Sequence, residues 1–481
     1  MNQRSIGPSA VTRGVVATPP VPGIPAPSAS RPGQRFILDE HHLVASVNRL
    51  AIPIIAENLF QTTLGIVDML MVSRLGAAAI AGVGTSLQIM FLVISALSAV
   101  TVGTTVMVAR YTGAGQTDDA TRTVKQSLVL GIALALIISV LGHFFAHTVI
   151  EVMGATPDVV QTGGDYLDVV AQMSIFLVIQ LVCSGALRGT GDTRTPMVVT
   201  GLVNGVNIVV AYALIFGHFG FPAMGVLGSA WGASAARAVG AVIMLGILIS
   251  GRRNVRIRSA GGWRPDRALM GRILKIGLPS MIEQSLMSGG MLLYSVIVIG
   301  MGTSVYAAQR ITFNALSVSF MPGMGFGMAA TTMTGQSIGA KRPDLALTST
   351  WIAFRMAALW MCTMGLGLMI FPHQIMHFFT NDPVIDDVGA AALRVLAISQ
   401  PFQALGQVLS GSLRGAGDTR FPMLATGLSV WLIRLPFGWL FGVPLHGGLS
   451  GVYLSNILDA AVRAGANYWR FRTGAWQKIK L

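Results

Sequence analysis

The stretch GALRGTGDTRTPM at residues 185–197 returns almost unchanged as GSLRGAGDTRFPM at residues 411–423. The offset is 226 residues, the difference between positions 188 and 414, and it also relates Pro53 to Pro279. The register holds without a gap from residue 53 to beyond residue 237. Such self-similarity indicates duplication, so we predict an N-lobe at 47–251 and a C-lobe at 273–472.

Composition excludes an ordinary soluble domain. The chain has 481 residues, of which 53% are hydrophobic and 11% charged, and its mean hydropathy is +0.66. Soluble domains carry about 25% charged residues, so we predict an all-α polytopic membrane protein. Cys183 and Cys362 both lie in apolar runs and there is no CxxC motif, so we expect neither a disulfide scaffold nor a metal site.

Each lobe contains six apolar segments long enough to cross about 30 Å of hydrocarbon. An even number of spans places both lobes in the same orientation, which predicts twelve transmembrane helices in two parallel repeats. The predicted spans are 48–72, 83–109, 126–150, 160–187, 195–217 and 225–250, then 274–299, 309–336, 350–373, 386–412, 421–443 and 448–470.

Lysine and arginine predict the orientation. They concentrate in the linker 252–272, in the tail 473–481 and in alternate connections, whereas the opposite connections include acidic stretches. The positive-inside rule therefore places both termini and the linker in the cytoplasm. We expect the membrane to be a bacterial inner membrane. The net charge of +14 is mainly this topology signal, so we expect no nucleic-acid partner. Residues 1–46 are rich in Pro and Ser and are predicted to be a disordered tail.

The repeated LRGxGDTRxPM motif is predicted to form the tight cytoplasmic turn between the fourth and fifth helices of each lobe. Glycine permits the turn and proline opens the next helix. Within each turn the arginine and aspartate can pair, which gives either a rigid hinge or a gate element. A phosphate-binding loop is excluded because no Lys-Ser/Thr follows the glycines. The turn residues are Arg188, Asp192, Arg414 and Asp418.

The first helix carries a polar stripe. Glu57 and Asp68 are 11 residues apart, three turns plus about 20°, and they share a face with Gln61. An ionisable group in hydrocarbon costs about 2.5–3.5 kcal/mol on insertion scales, so this face must meet protein or water.

Repeat symmetry divides the intramembrane charges into two groups. Glu57 repeats as Glu283, and Arg237 repeats as Arg463. Their similar depths predict two equivalent ion pairs, Glu57–Arg237 and Glu283–Arg463, that are architectural rather than catalytic.

Asp68 has no duplicate, because Tyr294 takes its place in the C-lobe. A carboxylate without a cationic neighbour exchanges protons more readily, so Asp68 is the candidate coupling residue. The alternative is that Asp68 only fastens helices through Asn207. The other residues expected at its level are Asn204 and Tyr212 in the N-lobe, and Arg434 and Asp459 in the C-lobe.

Met321, Met324 and Met328 lie on one helical face, with Met287 and Met291 on another helix. Flexible thioethers suit a promiscuous apolar pocket, although ordinary helix packing explains them equally well.

The chain resembles the MATE family of multidrug and toxic-compound extrusion transporters. The resemblance rests on PIIAENLFQTTLGIVDMLMVSRLG at 53–76, on PSMIEQSL at 279–286 and on the paired turns. It implies two lobes around a V-shaped cavity, alternating access, and export of amphipathic, often cationic, compounds coupled to inward H⁺ or Na⁺ flow.

The resemblance carries over to two residues. Asp68 matches the helix-one aspartate of the family's N-lobe cation site, and Asn207 matches its helix-five asparagine. The chain departs from the family at Ala211 and Gln403, where related branches carry acids. A lone acid makes a complete Na⁺ cage harder to assemble, which favours H⁺. The expected substrate-cavity residues are Gln61, Tyr294, Arg434, Asp459 and Gln403.

Two alternatives remain. A lipid-linked precursor flippase of the same superfamily needs a strongly cationic cavity, for which Arg434 is the one outer candidate. A channel or scaffold is disfavoured by the duplication and by the absence of a pore-ring motif. No nucleophile–base or metal cluster lies within an apolar segment, so we expect no enzyme and no cofactor beyond the coupling ion. We expect the protein to act as a monomer, with the bilayer and small amphipathic molecules as its partners.

Overall fold

The computed structural model describes residues 42–251, 257 and 262–479, and these residues form helices and connecting turns without a strand. In the N-lobe the helices are α1 (Leu43–Ser73), α2 (Ala77–Gly113), α3 (Thr117–Val152), α4 (Pro157–Gln172), α5 (Ser174–Gly189), α6 (Arg194–Phe216) and α7 (Val226–Ser250). In the C-lobe they are α8 (Arg267–Ile299), α9 (Thr303–Gly339), α10 (Pro343–Ile370), α11 (Pro372–His377), α12 (Pro383–Gly415), α13 (Arg420–Ser429), α14 (Leu435–Gly442) and α15 (Gly448–Arg472).

The helix boundaries follow the repeat. The first and last residues of α9 match those of α2 at the offset found in the sequence, and α12 matches the pair α4–α5 in the same way. The two halves of the sequence therefore fold as two bundles of the same plan, as the duplication predicts.

Eight of the described helices are long and apolar enough to cross a membrane, and so is the continuous segment Arg420–Gly442, which comprises α13, the π-helical turn and α14. The bent pair α4–α5 makes a tenth span. The two remaining long helices, α9 and α15, are less apolar. They take the repeat positions of α2 and α7, which both qualify, so they complete six spans in each lobe.

Each bundle departs from regular α-helix at a different point. In the N-lobe, α4 and α5 meet at Met173 with a bend of 53°, whereas the equivalent α12 runs without a break. In the C-lobe, a π-helical turn at Val430–Arg434 separates α13 from α14, whereas the equivalent α6 is regular. A π-turn changes the direction of the side chains that follow it, and such turns are frequent at functional sites.

The N-terminal tail is shorter than predicted, whereas the C-terminal tail begins where it was predicted, since α15 ends at Arg472. Helix α1 begins at Leu43, inside the predicted tail 1–46, while residues 1–41 lie outside the described part. At the other end, Trp476 is fully buried and its ring stacks on Phe471 with 5.0 Å between centroids. The C-terminal segment therefore packs onto the C-lobe at Trp476, while the backbone carbonyl of Ile479 accepts a hydrogen bond from Arg110 of the N-lobe at 2.8 Å.

The linker also ends earlier than predicted. Helix α8 begins at Arg267, and Asp266 caps it by accepting hydrogen bonds from the backbone N–H groups of Ala268 and Leu269. The hydrogen bond from Leu269, together with the guanidinium of Arg122 at 2.8 Å, lowers the pKa of Asp266. This contact ties the start of the C-lobe to α3 of the N-lobe.

The backbones of the two lobes come into close contact where α2 crosses α9. A Cβ added at Gly113 would lie 2.0 Å from the carbonyl oxygen of Gln336, and one at Gly339 would lie 2.0 Å from that of Arg110. Both contacts lie at the helix ends that are joined by the arginine-rich connections. We call this side of the protein the basic face. Only glycine permits backbones to approach so closely, so the repeated glycine closes the bundle at this face.

Candidate functional site

An acid–amide pair lies inside the N-lobe. Asp68 on α1 faces Asn207 on α6, whose Nδ2 donates to both carboxylate oxygens at 3.1 and 3.3 Å. Asn207 is buried and Asp68 is half-buried. The predicted Asp68–Asn207 contact is therefore present, and it joins two helices that pack together along the lobe.

Two further polar residues surround this pair. The guanidinium of Arg237 acts on the Asp68 carboxylate electrostatically, and the buried hydroxyl of Tyr166 lies within the influence of both groups. Among residues 42–251, 257 and 262–479, no cationic atom lies within 4.0 Å of the Asp68 carboxylate. Asp68 thus has a cation nearby but no salt bridge. Tyr166 was missed by the sequence reading, although a tyrosine beside two acids in α4 is a visible signal.

The other two residues expected at the coupling site lie elsewhere. Asn204 donates to the backbone carbonyl of Phe60 at 2.6 Å. The ring of Tyr212 packs at 4.8 Å from the ring of His218, near the end of α6. Asn204 lies three residues before Asn207 on α6, and its amide reaches the backbone of α1 rather than the carboxylate.

The acid of the C-lobe has different surroundings. Asp459 on α15 is fully buried and forms a salt bridge with Arg434, whose Nε donates to its Oδ2 at 3.1 Å. Arg463 lies 3.6 Å from the same carboxylate oxygen. The hydroxyl of Ser429 also donates to Asp459. Arg434 ends the π-turn and Ser429 directly precedes it, so the irregular segment brings both side chains to the carboxylate.

Four residues expected to line the substrate cavity belong to this buried interior instead. Arg434 and Asp459 pair with each other, Gln403 accepts a hydrogen bond from Arg463 at 3.0 Å, and Tyr294 donates to the carbonyl of Val452 at 2.8 Å. The cavity prediction for these four was wrong, because each polar group finds its partner within the lobe. Gln61 is exposed.

The two predicted ion pairs were also wrong. Glu57 forms a salt bridge with Arg188 at 2.6 Å rather than with Arg237. Glu283 lies 3.9 Å from Arg414 rather than pairing with Arg463. Depth counting did not foresee that each motif arginine, in the last turn of α5 or α12, reaches across to the buried glutamate.

The symmetry of these contacts is nevertheless as predicted. Thr200 donates to Glu57 at 3.3 Å and Thr426 donates to Glu283 at 3.2 Å, which are equivalent positions in the repeat. The N-lobe set is the tighter one, since the Glu57 side chain is 2% exposed and that of Glu283 is 13% exposed.

The motif aspartates do not pair with the motif arginines. Asp192 accepts hydrogen bonds from the backbone N–H and the hydroxyl of Thr195, which secures the start of α6. Asp418 pairs with Arg470 at 2.7 Å and so connects the second turn to the end of α15. The arginine–aspartate pairing within each turn was therefore wrong, while the turns themselves form as predicted.

A cavity of about 210 Å³ lies between the lobes. Arg188 and Arg414 lie on its wall, together with Met324 and Met328. Several lining residues are repeat mates, which places the cavity on the axis that relates the lobes. The complete lining is Thr101, Val102, Thr105, Arg188, Met324, Gly327, Met328, Thr331, Thr332, Gln407 and Arg414.

Two membrane-spanning bundles of the same plan, with polar sites inside them and a cavity between them, define a transporter rather than an enzyme. The MatE family profile matches residues 53–213 and 279–440, one match in each lobe. The chain therefore belongs to the MatE family and is an integral multi-pass membrane transporter.

Known proteins agree with this assignment. The probable multidrug resistance protein NorM of Thermotoga maritima is 33% identical over 430 residues, covering 89% of this chain and 92% of that protein. The multidrug resistance protein PmpM of Pseudomonas aeruginosa is 29% identical, covering 82% and 83%.

Solved structures show the same fold. A crystal structure of MATE in complex with MaL6 has a TM-score of 0.86 at 25% identity and covers 94% of this chain and 100% of that one. An outward-facing multidrug resistance MATE transporter of the MOP superfamily has a TM-score of 0.85 at 24% identity, with the same coverage.

Proposed function

We propose that the protein exports amphipathic or cationic compounds in exchange for inward-moving protons, with Asp68 as the coupling carboxylate. The observation that carries this proposal is the Asp68–Asn207 pair, a half-buried acid held by a neutral amide rather than by a salt bridge. The multidrug resistance names of the NorM and PmpM relatives support the substrate class.

The proposed cycle follows from the charge of this carboxylate. Ionised Asp68 attracts a cationic substrate while the lobes are closed at the basic face and open opposite it. A proton arriving from outside neutralises Asp68, weakens the attraction and releases the substrate. A neutral carboxyl costs less to enclose, so the protonated protein can close outside and open inside. Substrate and proton then act by favouring different states.

Proton coupling is favoured over sodium coupling by the groups around Asp68. A sodium ion needs several oxygen ligands, and the position where related proteins carry a second acid is Ala211, which is fully buried here. A proton needs only the carboxylate.

A lipid-linked precursor flippase ranks second. The pyrophosphate of such a substrate calls for a strongly cationic cavity. The arginines of the cavity between the lobes, Arg188 and Arg414, each face a glutamate, and Arg434 is bound to Asp459. This balance of charge favours a neutral or cationic substrate.

The basic face is the cytoplasmic face, so the chain lies in the bacterial inner membrane with both ends inside. The protein works as a monomer, needs no organic cofactor, and uses H⁺ as its coupling ion.

The experiment that tests the proposal is ethidium uptake by everted membrane vesicles that contain the protein. An imposed acid interior without Na⁺ should drive ethidium accumulation, and a proton ionophore should abolish it. A Na⁺ gradient alone should drive none. Uptake driven by Na⁺ and unaffected by the ionophore would refute proton coupling, and no ethidium uptake under either gradient would refute the substrate class.

A further inference from the structure

A cluster of histidine and aspartate side chains lies at the face opposite the basic face. His373 and His377 are four residues apart on the short helix α11, so both project from the same side of it. Asp386 and Asp387 lie in the first turns of α12, the next helix along the chain. The turn between the two helices brings His373, Asp386 and Asp387 together, and His377 lies beside Asp386. None of the four contributes to the site described above.

The distances within the cluster suit a shared ligand. His373 Nδ1 lies 2.7 Å and His377 Nε2 lies 3.8 Å from Oδ2 of Asp386. One donor atom from each of His373, Asp386 and Asp387 lies within 4.8 Å of the others. Ligand atoms at about 2.0–2.2 Å from one tetrahedral ion are about 3.3–3.6 Å apart, so these donor atoms need only move slightly closer together to bind the same ion.

The burial of Asp386 is a second and independent observation. Its side chain is 7% exposed, and its Oδ1 makes no hydrogen bond among the described residues. A buried carboxylate oxygen without a partner costs free energy, and such orphans in native structures call for an explanation. A cation bound between α11 and α12 supplies the missing partner.

We propose that His373, His377, Asp386 and Asp387 form a binding site for a divalent transition metal, with Zn²⁺ as the best match. Two imidazoles and two carboxylates make the mixed nitrogen–oxygen set that Zn²⁺ accepts in tetrahedral geometry. Ca²⁺ and Mg²⁺ prefer oxygen ligands alone. The ion joins α11 to α12 and stabilises the outer connection of the C-lobe. The sequence predicted no metal because it has no CxxC motif and no ligand cluster within one apolar segment, whereas these residues are divided between the end of one predicted span and the start of the next.

The N-lobe provides a matched comparison. His147, which takes the repeat position of His373, lies 3.1 Å from Asp165, and His143 lies 3.2 Å from Asp168. Glutamines complete both groups, since Gln161 donates to Asp165 and Gln172 donates to Asp168. These are simple histidine–aspartate hydrogen bonds, so His143 and His147 serve as control positions with the same chemistry at the same face.

The test is Zn²⁺ binding to the purified full chain, without a histidine tag and after removal of metal with a chelator. Competition against a chromophoric chelator should give one tight site per chain. His377→Ala, at a side chain 60% exposed, should weaken the affinity by at least about tenfold without affecting folding, since even second-sphere partners of metal ligands contribute about 10–100-fold. Asp386→Asn should do the same or more. His143→Ala and His147→Ala should bind Zn²⁺ like the wild type.

A second readout keeps the result independent of folding defects. Zn²⁺ should raise the melting temperature of the wild type and of the two N-lobe controls, but not that of His377→Ala. Co²⁺ should give the visible absorption of a tetrahedral ion when it is added to the wild type, but not when it is added to His377→Ala. Stoichiometric binding that survives His377→Ala and Asp386→Asn, or no tight binding by the wild type, would overturn the proposal and leave His373 and Asp386 as a simple hydrogen-bonded pair.

Discussion

Asp68 and Asp459 are both acids within the membrane-spanning part, one in each lobe, yet their surroundings differ completely. Asp68 is half-buried and accepts its hydrogen bonds from the neutral amide of Asn207. Asp459 is fully buried and lies between two guanidinium groups, Arg434 and Arg463. An acid between two fixed cations stays ionised and becomes part of the framework. Asp68 has no such salt bridge among the described residues, so in the proposed mechanism it is the acid that exchanges a proton, whereas Asp459 is fixed.

The largest expected effect follows from Asp68→Asn. The variant has no titrating group at the proposed coupling site, so proton-driven ethidium uptake should fall to the level of vesicles without the protein. Its melting temperature should stay close to that of the wild type, because an amide in this place can still hydrogen-bond to Asn207. Asp68→Glu, which keeps a carboxyl, should retain measurable uptake, and equal loss in both variants would point to packing instead of protonation.

Asp459→Asn should affect stability rather than coupling. Removal of the carboxylate leaves two buried arginines without their counter-charge, and breaking a buried pair in this way costs about 3–5 kcal/mol. Thermal unfolding in detergent, followed by the fluorescence of a thiol-reactive dye, measures the loss. Arg434→Met should cost less, since Arg463 still neutralises Asp459. A melting temperature unchanged in Asp459→Asn would contradict the framework role.

The two glutamate–arginine contacts should differ in strength. A double-mutant cycle of Glu57→Gln and Arg188→Met should give a coupling free energy in the upper part of the range of about 0.5–3 kcal/mol, because that pair is short and buried. The cycle of Glu283→Gln and Arg414→Met should fall near the lower end, because the pair is longer and more exposed. Equal values in the two lobes would show that the difference in distance has no energetic consequence.

The smallest expected effect separates Asn207 from Asn204. Asn207→Ala removes two hydrogen bonds to the ionised carboxylate, so the pH at which half of the ethidium is bound should rise, by about one pH unit if about 1.4 kcal/mol is lost. Asn204→Ala removes a contact to the backbone of α1 and should leave that midpoint unchanged. Fluorescence titration of ethidium across pH compares the two variants, and a shift of the same size in both would place Asn207 outside the coupling site.

Much of the fold could be read from the sequence. The constant offset showed where the repeat begins and ends, and the uninterrupted apolar runs showed where the spans lie. Such runs form helices in a bilayer because a helix satisfies its own backbone hydrogen bonds. The two irregular points were not predictable in this way. Nothing in local periodicity distinguishes the bend at Met173 from the continuous α12, or the π-turn at Val430–Arg434 from regular α6.

The candidate site was predicted in part. Asp68 and Asn207 were expected together and lie together. Arg237 was assigned to Glu57 because the two residues lie at similar depths. Depth says little about the rotation of a helix about its own axis, and this rotation decides which neighbour a long side chain reaches. The partner of Glu57 is Arg188, in the last turn of α5. The depth of the residues in the membrane does not predict this contact.

The most direct test of the contrast between the two acids is the number of protons released when substrate binds. Isothermal titration of the purified protein with ethidium, in buffers of different ionisation enthalpy near neutral pH, gives this number. We expect net proton release by the wild type and none by Asp68→Asn. Release of the same number of protons by both proteins would show that another group exchanges the proton, and the role assigned to Asp68 would then be wrong.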